Sequence, residues 1–270
     1  MTFTLGSRAL SAGYRLSAFD SIGSTNAEAL FRARQGERGP IWFVTSDQTA
    51  GRGRRHRPWI APRGNLAASI LQTLDMIPAT AATLGFAAGL ALAAALRRAS
   101  GNDAMGAAEP DSAVFSLKWP NDVLAGGGKL AGILLEAEAV AGSGLAMVVG
   151  IGTNVVAAPE GTPMPATSLL KLGIAITAED LFAVLSDSWV EFYEIWDQGR
   201  GFGEIRRLWL EQATGVGRPV AVHTGGAVIE GTFETVDDTG CMTLRTSSGD
   251  QVSISAGDVY FGSAASAGTA

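Results

Sequence analysis

The sequence predicts an α+β fold, in which a mixed β-sheet with helices is followed by a small β-barrel. Apolar runs of strand length and long helical segments share the first 213 residues, and glycine turns between some of those runs favour hairpins. After Gly215 the pattern changes to short strands at roughly ten-residue spacing, which is typical of a small barrel of about fifty residues. We therefore expect a large domain at 1–213, a barrel at 214–262 and a flexible tail at 263–270.

Strands and helices alternate in the first part of the chain. Ser24 or Thr25 can cap a helix, because a hydroxyl at that position accepts a hydrogen bond from a free N–H of the first turn, and Glu28 follows in that turn. The most apolar stretch, Ala79–Ala95, contains only 17 residues, so it predicts a buried core helix rather than a membrane span. The predicted elements are strands at Tyr14–Asp20, Ile41–Ser46 and Asn65–Leu71 and helices at Ala27–Arg34 and Thr80–Ser100.

Glycine turns organise the rest of the chain. Gly126-Gly127-Gly128 predicts a tight connection between two strands. Residues 101–113 are small, polar and acidic without periodicity, and we expect a surface excursion there. The predicted elements are strands at Val114–Trp119, Lys129–Ala139 and Ala146–Asn154, helices at Ala178–Gln198 and Gly203–Ala213, and barrel strands at Val220–His223, Ala227–Glu234, Cys241–Thr246 and Gln251–Ile254.

The overall composition excludes several classes of protein. The formal net charge is −6, which argues against a general nucleic-acid binder. A single cysteine, Cys241, allows no intramolecular disulfide and fits a reducing cytoplasm. We expect this cysteine to lie in the core of the barrel. The first residues lack the long apolar segment of a secretory signal, so a cytoplasmic location is expected.

One segment departs from this acidic background. Residues 51–57 contain four arginines and His56. Closely spaced arginines repel one another, and the interleaved glycines disfavour regular structure. Since the planar guanidinium group suits phosphates and carboxylates, the segment predicts an anion-binding loop that becomes ordered around a ligand. A solvated basic turn is the alternative.

Two further motifs place polar groups at the ends of predicted strands. Lys118 ends an apolar strand and is followed by a proline turn, an arrangement that puts an ammonium group where ligand crevices often lie. Gly150 and Gly152 precede Asn154 and would let the backbone approach a ligand closely, although a tight bend explains them equally well.

Other catalytic chemistries find no support in the sequence. The only histidines are His56 and His223, which leaves no histidine-based metal cluster. There is also no Gly-x-x-x-x-Gly-Lys-Ser/Thr phosphate loop. What remains is chemistry carried out by cations and backbone groups around an anionic ligand, as in phosphoryl and nucleotidyl transfer.

Taken in order, the motifs resemble those of the biotin protein ligase family. They are Ser24-Thr25-Asn26, Gln48-Thr49-Ala50 running into GRGRR, Gly64-Asn65-Leu66, KWPND at 118–122, KLAGILLE at 129–136 and GIGTN at 150–154. The resemblance covers about residues 14–262. It implies a catalytic domain of the class II synthetase-like, biotin–lipoate ligase type, followed by an SH3-like barrel.

The resemblance also implies a reaction and a set of site residues. Biotin and ATP with Mg²⁺ would give biotinyl-5′-AMP, from which biotin passes to a lysine of a biotin carboxyl carrier protein. No resident metal ligand is implied. The implied catalytic residues are Lys118, Arg52 and Arg54; the biotin-binding residues are Ser24, Thr25, Asn26, Gln48 and Gly53; and the adenylate-binding residues are Lys118, Lys129, Gly132 and Asn154.

Two departures and two alternatives accompany this prediction. The family loop has glycine where this chain has His56, which leaves the role of that end of the loop open. Too few residues precede Ser24 for a winged-helix domain, so we expect no DNA partner. We also expect no membrane partner, and the resemblance leaves both a monomer and a homodimer open. A lipoate–protein ligase is the near alternative, and a non-catalytic RNA-binding module built on the arginine loop is the distant one.

Overall fold

The computed structural model describes residues 2–101, 115–140, 144–162 and 164–261. A seven-stranded sheet with helices occupies the larger part, and a five-stranded sheet lies towards the C-terminus, so the predicted α+β class is confirmed. The expected excursion at 101–113, after its first residue, and the expected tail at 263–270 lie outside the described residues.

The larger sheet is mixed. Its strand order is β1-β2-β3-β7-β6-β5-β4; β1 and β2 run parallel and the remaining neighbours run antiparallel. The strands are β1 (Arg15–Phe19), β2 (Ile41–Thr45), β3 (Leu66–Leu74), β4 (Ser116–Lys118), β5 (Asp122–Ala125), β6 (Gly128–Val140) and β7 (Gly144–Thr153).

Helices cover both faces of this sheet, and the alternation along β2 shows why. Successive side chains of a strand point to opposite faces. Trp42 and Val44 belong to the main core, whereas Phe43 belongs to a smaller cluster with Ala29 and Leu30. The helices are α1 (Ser7–Ser11), α2 (Thr25–Arg34), α3 (Pro78–Ala82), α4 (Leu84–Ala99), α5 (Ala178–Trp196) and α6 (Phe202–Gln212).

The apolar stretch near residue 80 forms two helices rather than the single one predicted. The break between α3 and α4 falls at Thr83, whose hydroxyl accepts a hydrogen bond from Trp196 Nε1 at 2.8 Å. Within the described residues, Pro78–Ala99 is apolar and long enough to cross a membrane, but 78% of its most apolar window is buried inside the protein. The prediction of a buried core helix is confirmed.

The small C-terminal β domain is also confirmed. Its strands pair antiparallel in the order β11-β10-β9-β8-β12, and we call them the C-terminal sheet. The turn between β9 and β10 contacts the turn after β4, since Trp119 Nε1 donates to Gly240 O at 3.1 Å. The boundary near residue 214 stays a prediction. The strands are β8 (Pro219–His223), β9 (Val228–Val236), β10 (Met242–Arg245), β11 (Gln251–Ile254) and β12 (Asp258–Phe261).

Some local predictions are wrong. The strand β5 was not predicted; it begins at Asp122, directly after the proline turn that ends at Asn121. The short strand β12 and the five-residue helix α1 were not predicted. Cys241 is half-buried rather than part of the core, and its sulfur lies 3.3 Å from the Thr239 hydroxyl.

A carboxylate stabilises the turn between α2 and β2. Glu37 accepts hydrogen bonds from the backbone N–H groups of Arg38 and Gly39 at 2.7 and 2.9 Å. Its two oxygens also pair with the Arg15 guanidinium group at 2.9 and 2.5 Å. The pairing with Arg15 lowers the pKa of Glu37 to about 2.

We predict that Glu37→Gln removes an acid-sensitive part of the stability. A carboxyl group whose pKa is lowered on folding stabilises the protein above its unfolded pKa and loses that contribution as the pH falls through the folded value. The variant should therefore unfold more readily than the wild type at neutral pH, and the difference should shrink between about pH 4.5 and 2. Urea unfolding across this range measures it; a difference independent of pH would contradict the prediction.

Candidate active site

The structure brings the predicted site residues together in one cavity. Its volume is about 410 Å³. The lining includes every residue that the sequence selected: Ser24, Thr25, Asn26, Gln48, Arg52, Gly53, Arg54, Lys118, Lys129, Gly132 and Asn154. The lining also includes Gly257, which directly precedes β12, and Asp258, which begins that strand of the C-terminal sheet.

The start of α2 forms one end of the cavity. Ser24 caps the helix, because its hydroxyl accepts from Ala27 N at 3.3 Å, so capping accounts for this residue without a ligand. Thr25 and Asn26 are only 3% and 5% exposed. Gln48 Oε1 accepts from Thr25 N at 2.9 Å and from its hydroxyl at 3.2 Å, which fixes Gln48 beside the helix.

A serine that the sequence analysis missed organises these side chains. Ser69 lies on β3 and is fully buried. Its hydroxyl is 2.7 Å from Thr25 Oγ1 and 2.6 Å from Asn26 Oδ1. The opposite end of the Asn26 amide donates to Glu136 Oε2 at 2.8 Å. A polar residue in the middle of an otherwise apolar strand is the sequence signal that could have identified Ser69.

The arginine segment, residues 51–58, is a small hairpin. Arg52 bridges to Pro58, and Gly53 N donates to Arg57 O at 2.7 Å. A 3₁₀ turn at Arg54–His56 forms its tip. The expectation that glycines deny this segment regular structure is therefore wrong, since backbone pairing across the loop supplies it. The Gly53 N–H already has an acceptor, so its predicted use by biotin requires that bond to open.

His56 adopts a backbone conformation that glycine would accept more easily. Its φ is +59°, and that of Arg55 is +55°, both in the left-handed region that is unfavourable for residues with a Cβ. The turn at the tip of the loop requires this positive φ, which is the physical reason for the glycine that the family has at this position.

Carboxylates of the protein pair with three of the four arginines of this loop. Arg52 Nη2 lies 3.3 Å from Glu136 Oε1. Arg55 Nη1 and Arg57 Nη2 lie 3.0 and 2.8 Å from the same oxygen, Oδ2 of Asp258. Two carboxylates, one from β6 and one from β12, thus pair with three arginines.

Arg54 differs from its neighbours. Its Nη1 donates to Asn121 Oδ1 at 3.1 Å and to Gly257 O at 3.2 Å, and both of these partners are neutral. Burial lowers the pKa of Arg54, and the charge of Asp258 opposes that effect. An arginine remains protonated under such conditions, so Arg54 presents a partly desolvated positive charge to the cavity.

The two lysines of the cavity have different partners. Lys129 Nζ forms an ion pair with Asp122 Oδ1 at 2.6 Å. Lys118, which is 7% exposed, has its Nζ 3.0 Å from Met164 Sδ and 5.4 Å from the ring centre of Phe261. Burial lowers the pKa of Lys118, and Asp122 partly opposes this. Lys118 therefore faces soft, uncharged groups that an anionic ligand could replace.

Two paired glycines leave space for the side chain of Trp59, which lines the cavity and was not selected by the sequence analysis. Gly132 and Gly152 are opposite one another on β6 and β7. A Cβ at Gly152 would lie 2.6 Å from the Trp59 ring, and one at Gly132 would lie 3.2 Å from it. The glycines thus admit an indole against the sheet. Gly132 and Gly152 belong to different sequence motifs, so their shared contact with Trp59 becomes apparent only once β6 and β7 are known to pair.

Asn154 has a structural role at this edge. It is 1% exposed, and its Nδ2 donates to Thr167 O at 3.1 Å. Its backbone N–H donates to Leu130 O at 2.9 Å. These bonds anchor the end of β7 to β6 and to the segment around Thr167. The predicted contact of Asn154 with adenylate stays a prediction.

Comparison with known proteins identifies the family. A model of the biotin/lipoate A/B protein ligase family matches residues 18–154, and one of the biotin protein ligase C-terminal domain matches 215–262. A biotin–[acetyl-CoA-carboxylase] ligase of Paracoccus denitrificans is 39% identical, with 88% of this chain and 97% of the relative aligned. The chain belongs to the biotin protein ligase family. The resemblance seen in the sequence is thereby confirmed.

Further members of the family agree with this assignment. The ligase of the same name from Mycobacterium tuberculosis is 37% identical over 92% of this chain and 90% of its own length. The solved biotin protein ligase of Aquifex aeolicus in complex with biotin and ATP has a TM-score of 0.72. It is 24% identical and covers 91% of this chain and 97% of its own, which supports the shared fold.

We predict that Gly150→Ala destabilises this end of the ligase. The new Cβ would lie 2.1 Å from Asn26 Oδ1, so Asn26 must move and give up its contacts with Ser69 and Glu136. Overpacking of this kind costs about 1–3 kcal/mol. Denaturant unfolding measures the loss. Gly203→Ala in α6, where a Cβ meets open space, is the control; equal stability of the two variants would contradict the prediction.

Proposed function

We propose that this chain activates biotin with ATP, releasing pyrophosphate, and transfers the biotinyl group from biotinyl-5′-AMP to a lysine of a biotin carboxyl carrier domain. The names of its relatives at 37–39% identity support this activity. The observation that carries the proposal is a pair of cations that line the cavity, the half-buried Arg54 and the buried Lys118, whose direct partners are neutral. In the part of the chain that the structure describes, no carboxylate forms an ion pair with either cation, so the site can accept an anionic ligand.

The first step requires two anions to approach each other. An oxygen of the biotin carboxylate attacks the α-phosphorus of ATP, and the bond from that phosphorus to the bridging oxygen of pyrophosphate breaks. Repulsion between carboxylate and phosphate opposes this approach, and preorganised cations at the point of developing charge lower its barrier. Lys118, Arg52 and Arg54 are the groups assigned to this role.

The remaining residues divide between the two ends of the ligand. Thr25, Asn26 and Gln48, together with the capping residue Ser24, are assigned to biotin, and Gly53 joins them when the loop opens. Lys129, Gly132 and Asn154 are assigned to the adenylate. In the second step the carrier lysine attacks the acyl carbon, AMP leaves with the electron pair of the broken anhydride bond, and the amine loses a proton.

Magnesium enters this reaction as part of the ATP substrate. In the described ranges no cluster of three or more His, Cys, Asp or Glu side chains could hold a metal. Nucleotide-bound Mg²⁺ commonly needs only one or two carboxylates, because phosphates and water provide its other ligands. Asp122, which lines the cavity beside Lys129, is the carboxylate suited to that position.

The finer expectations about partners stay predictions. They are a carrier domain as substrate, no DNA or membrane partner, a monomer or homodimer, and a cytoplasmic location. Lipoate is the competing acid, and the names of the relatives favour biotin.

Pyrophosphate release tests the proposal. The purified chain should release pyrophosphate only when ATP and biotin are both present, and lipoate should not replace biotin. Lys118→Gln should lower the rate about 10²–10³-fold, the scale of one lost charge-stabilising donor. Lys171→Gln, at an exposed lysine, is the control. Release that does not depend on biotin, or that is unchanged in Lys118→Gln, would overturn the assignment.

A further inference from the structure

We propose that Glu136 is a positioning residue that couples the arginine loop to the biotin end of the cavity. The inference rests on the proposed function, because it concerns how Arg52 reaches its ligand. Glu136 lies on β6 and contacts both partners at once. Its Oε2 accepts from Asn26 Nδ2 at 2.8 Å, and its two oxygens lie 3.3 and 3.4 Å from Arg52 Nη2.

The contacts of Glu136 continue as one hydrogen-bonded network. From Asn26 Oδ1 the network passes to the Ser69 hydroxyl at 2.6 Å and then to Thr25 Oγ1 at 2.7 Å. The Thr25 backbone N–H donates to Gln48 Oε1 at 2.9 Å. Gln48 lies three positions before the arginine segment, and Arg52 lies within that segment. The network therefore begins and ends on one stretch of chain, which leads into the hairpin.

The contacts of Glu136 orient the side chains of both of its partners, Asn26 and Arg52. Asn26 can present its amide in either orientation, and the acceptor at Glu136 together with the contact at Ser69 selects one. Glu136 engages only one terminal nitrogen of Arg52, which leaves the other N–H groups of the guanidinium fork available to an incoming anion. The carboxylate therefore orients Arg52 without occupying its whole binding edge.

The neighbouring Glu138 provides a matched control. It lies two positions further along β6, so its side chain points to the same face as that of Glu136. It also pairs with an arginine, Arg34, and this ion pair is exposed like that of Glu136 with Arg52. Neither Glu138 nor Arg34 lines the cavity, whereas Asn26 and Arg52, the two partners of Glu136, both do. The two glutamates thus share strand, face and type of partner, and differ in their connection to the site.

Four variants test the inference: Glu136→Gln, Glu138→Gln, Arg52→Gln and the double variant that combines Arg52→Gln with Glu136→Gln. Glutamine can still accept from Asn26, so Glu136→Gln removes chiefly the charge that orients Arg52. We expect the KM for biotin in pyrophosphate release to rise about tenfold with a smaller change in kcat, as for loss of a ground-state contact. In the ligand-free protein, tryptic cleavage within residues 51–58 should become faster. Glu138→Gln should leave both measurements unchanged.

The double variant distinguishes positioning from general stability. If Glu136 acts through Arg52, the double variant should bind biotin no worse than Arg52→Gln alone, because interacting residues are not additive. Additive losses, or wild-type KM and cleavage in Glu136→Gln, would overturn the inference. Glu136→Asp keeps the charge with a shorter reach and replaces Glu136→Gln if that variant does not fold. A wild type without biotin-dependent release would instead overturn the proposed function, and the cleavage comparison would still test Glu136.

Discussion

The arrangement of the cavity depends on how the protein neutralises the arginine loop. Four arginines within six positions repel one another, and a turn with two left-handed residues at its tip adds conformational cost. Exposed ion pairs are individually worth at most about 1 kcal/mol. Here, however, Glu136 and Asp258 each hold one side of the same loop, so their shared effect is to fix its position over the sheet.

This charge balance links the two sheets. Glu136 belongs to β6 of the larger sheet, whereas Asp258 and Phe261 belong to β12 of the C-terminal sheet. Asp258 holds the far side of the loop, and the ring of Phe261 lies beside Lys118. The C-terminal sheet therefore lines the cavity and supplies a carboxylate that pairs with arginines of the loop. Arg54, between the two anchored sides, donates its hydrogen bonds to neutral partners.

The sequence predicted the motifs of this site well, because each motif has a local physical cause. A lysine before a proline turn, glycines within an apolar strand and a hydroxyl before a helix are all recognisable in a few residues. What it could not predict are partners from distant parts of the chain. Asp258 lies 203 positions from Arg55, and Ser69 acts only because α2 packs across β3. The short strands β5 and β12 were missed because four residues carry too little periodicity.

The most direct test of this charge balance compares two arginines of the same loop. Binding of biotinyl-5′-AMP should weaken about a hundredfold in Arg54→Gln, because that residue offers the ligand a charge that no carboxylate of the described residues pairs with. In Arg55→Gln, whose charge is directed to Asp258, the loss should stay below about tenfold. Titration calorimetry measures both dissociation constants. Equal losses in the two variants, or a larger loss in Arg55→Gln, would contradict the account.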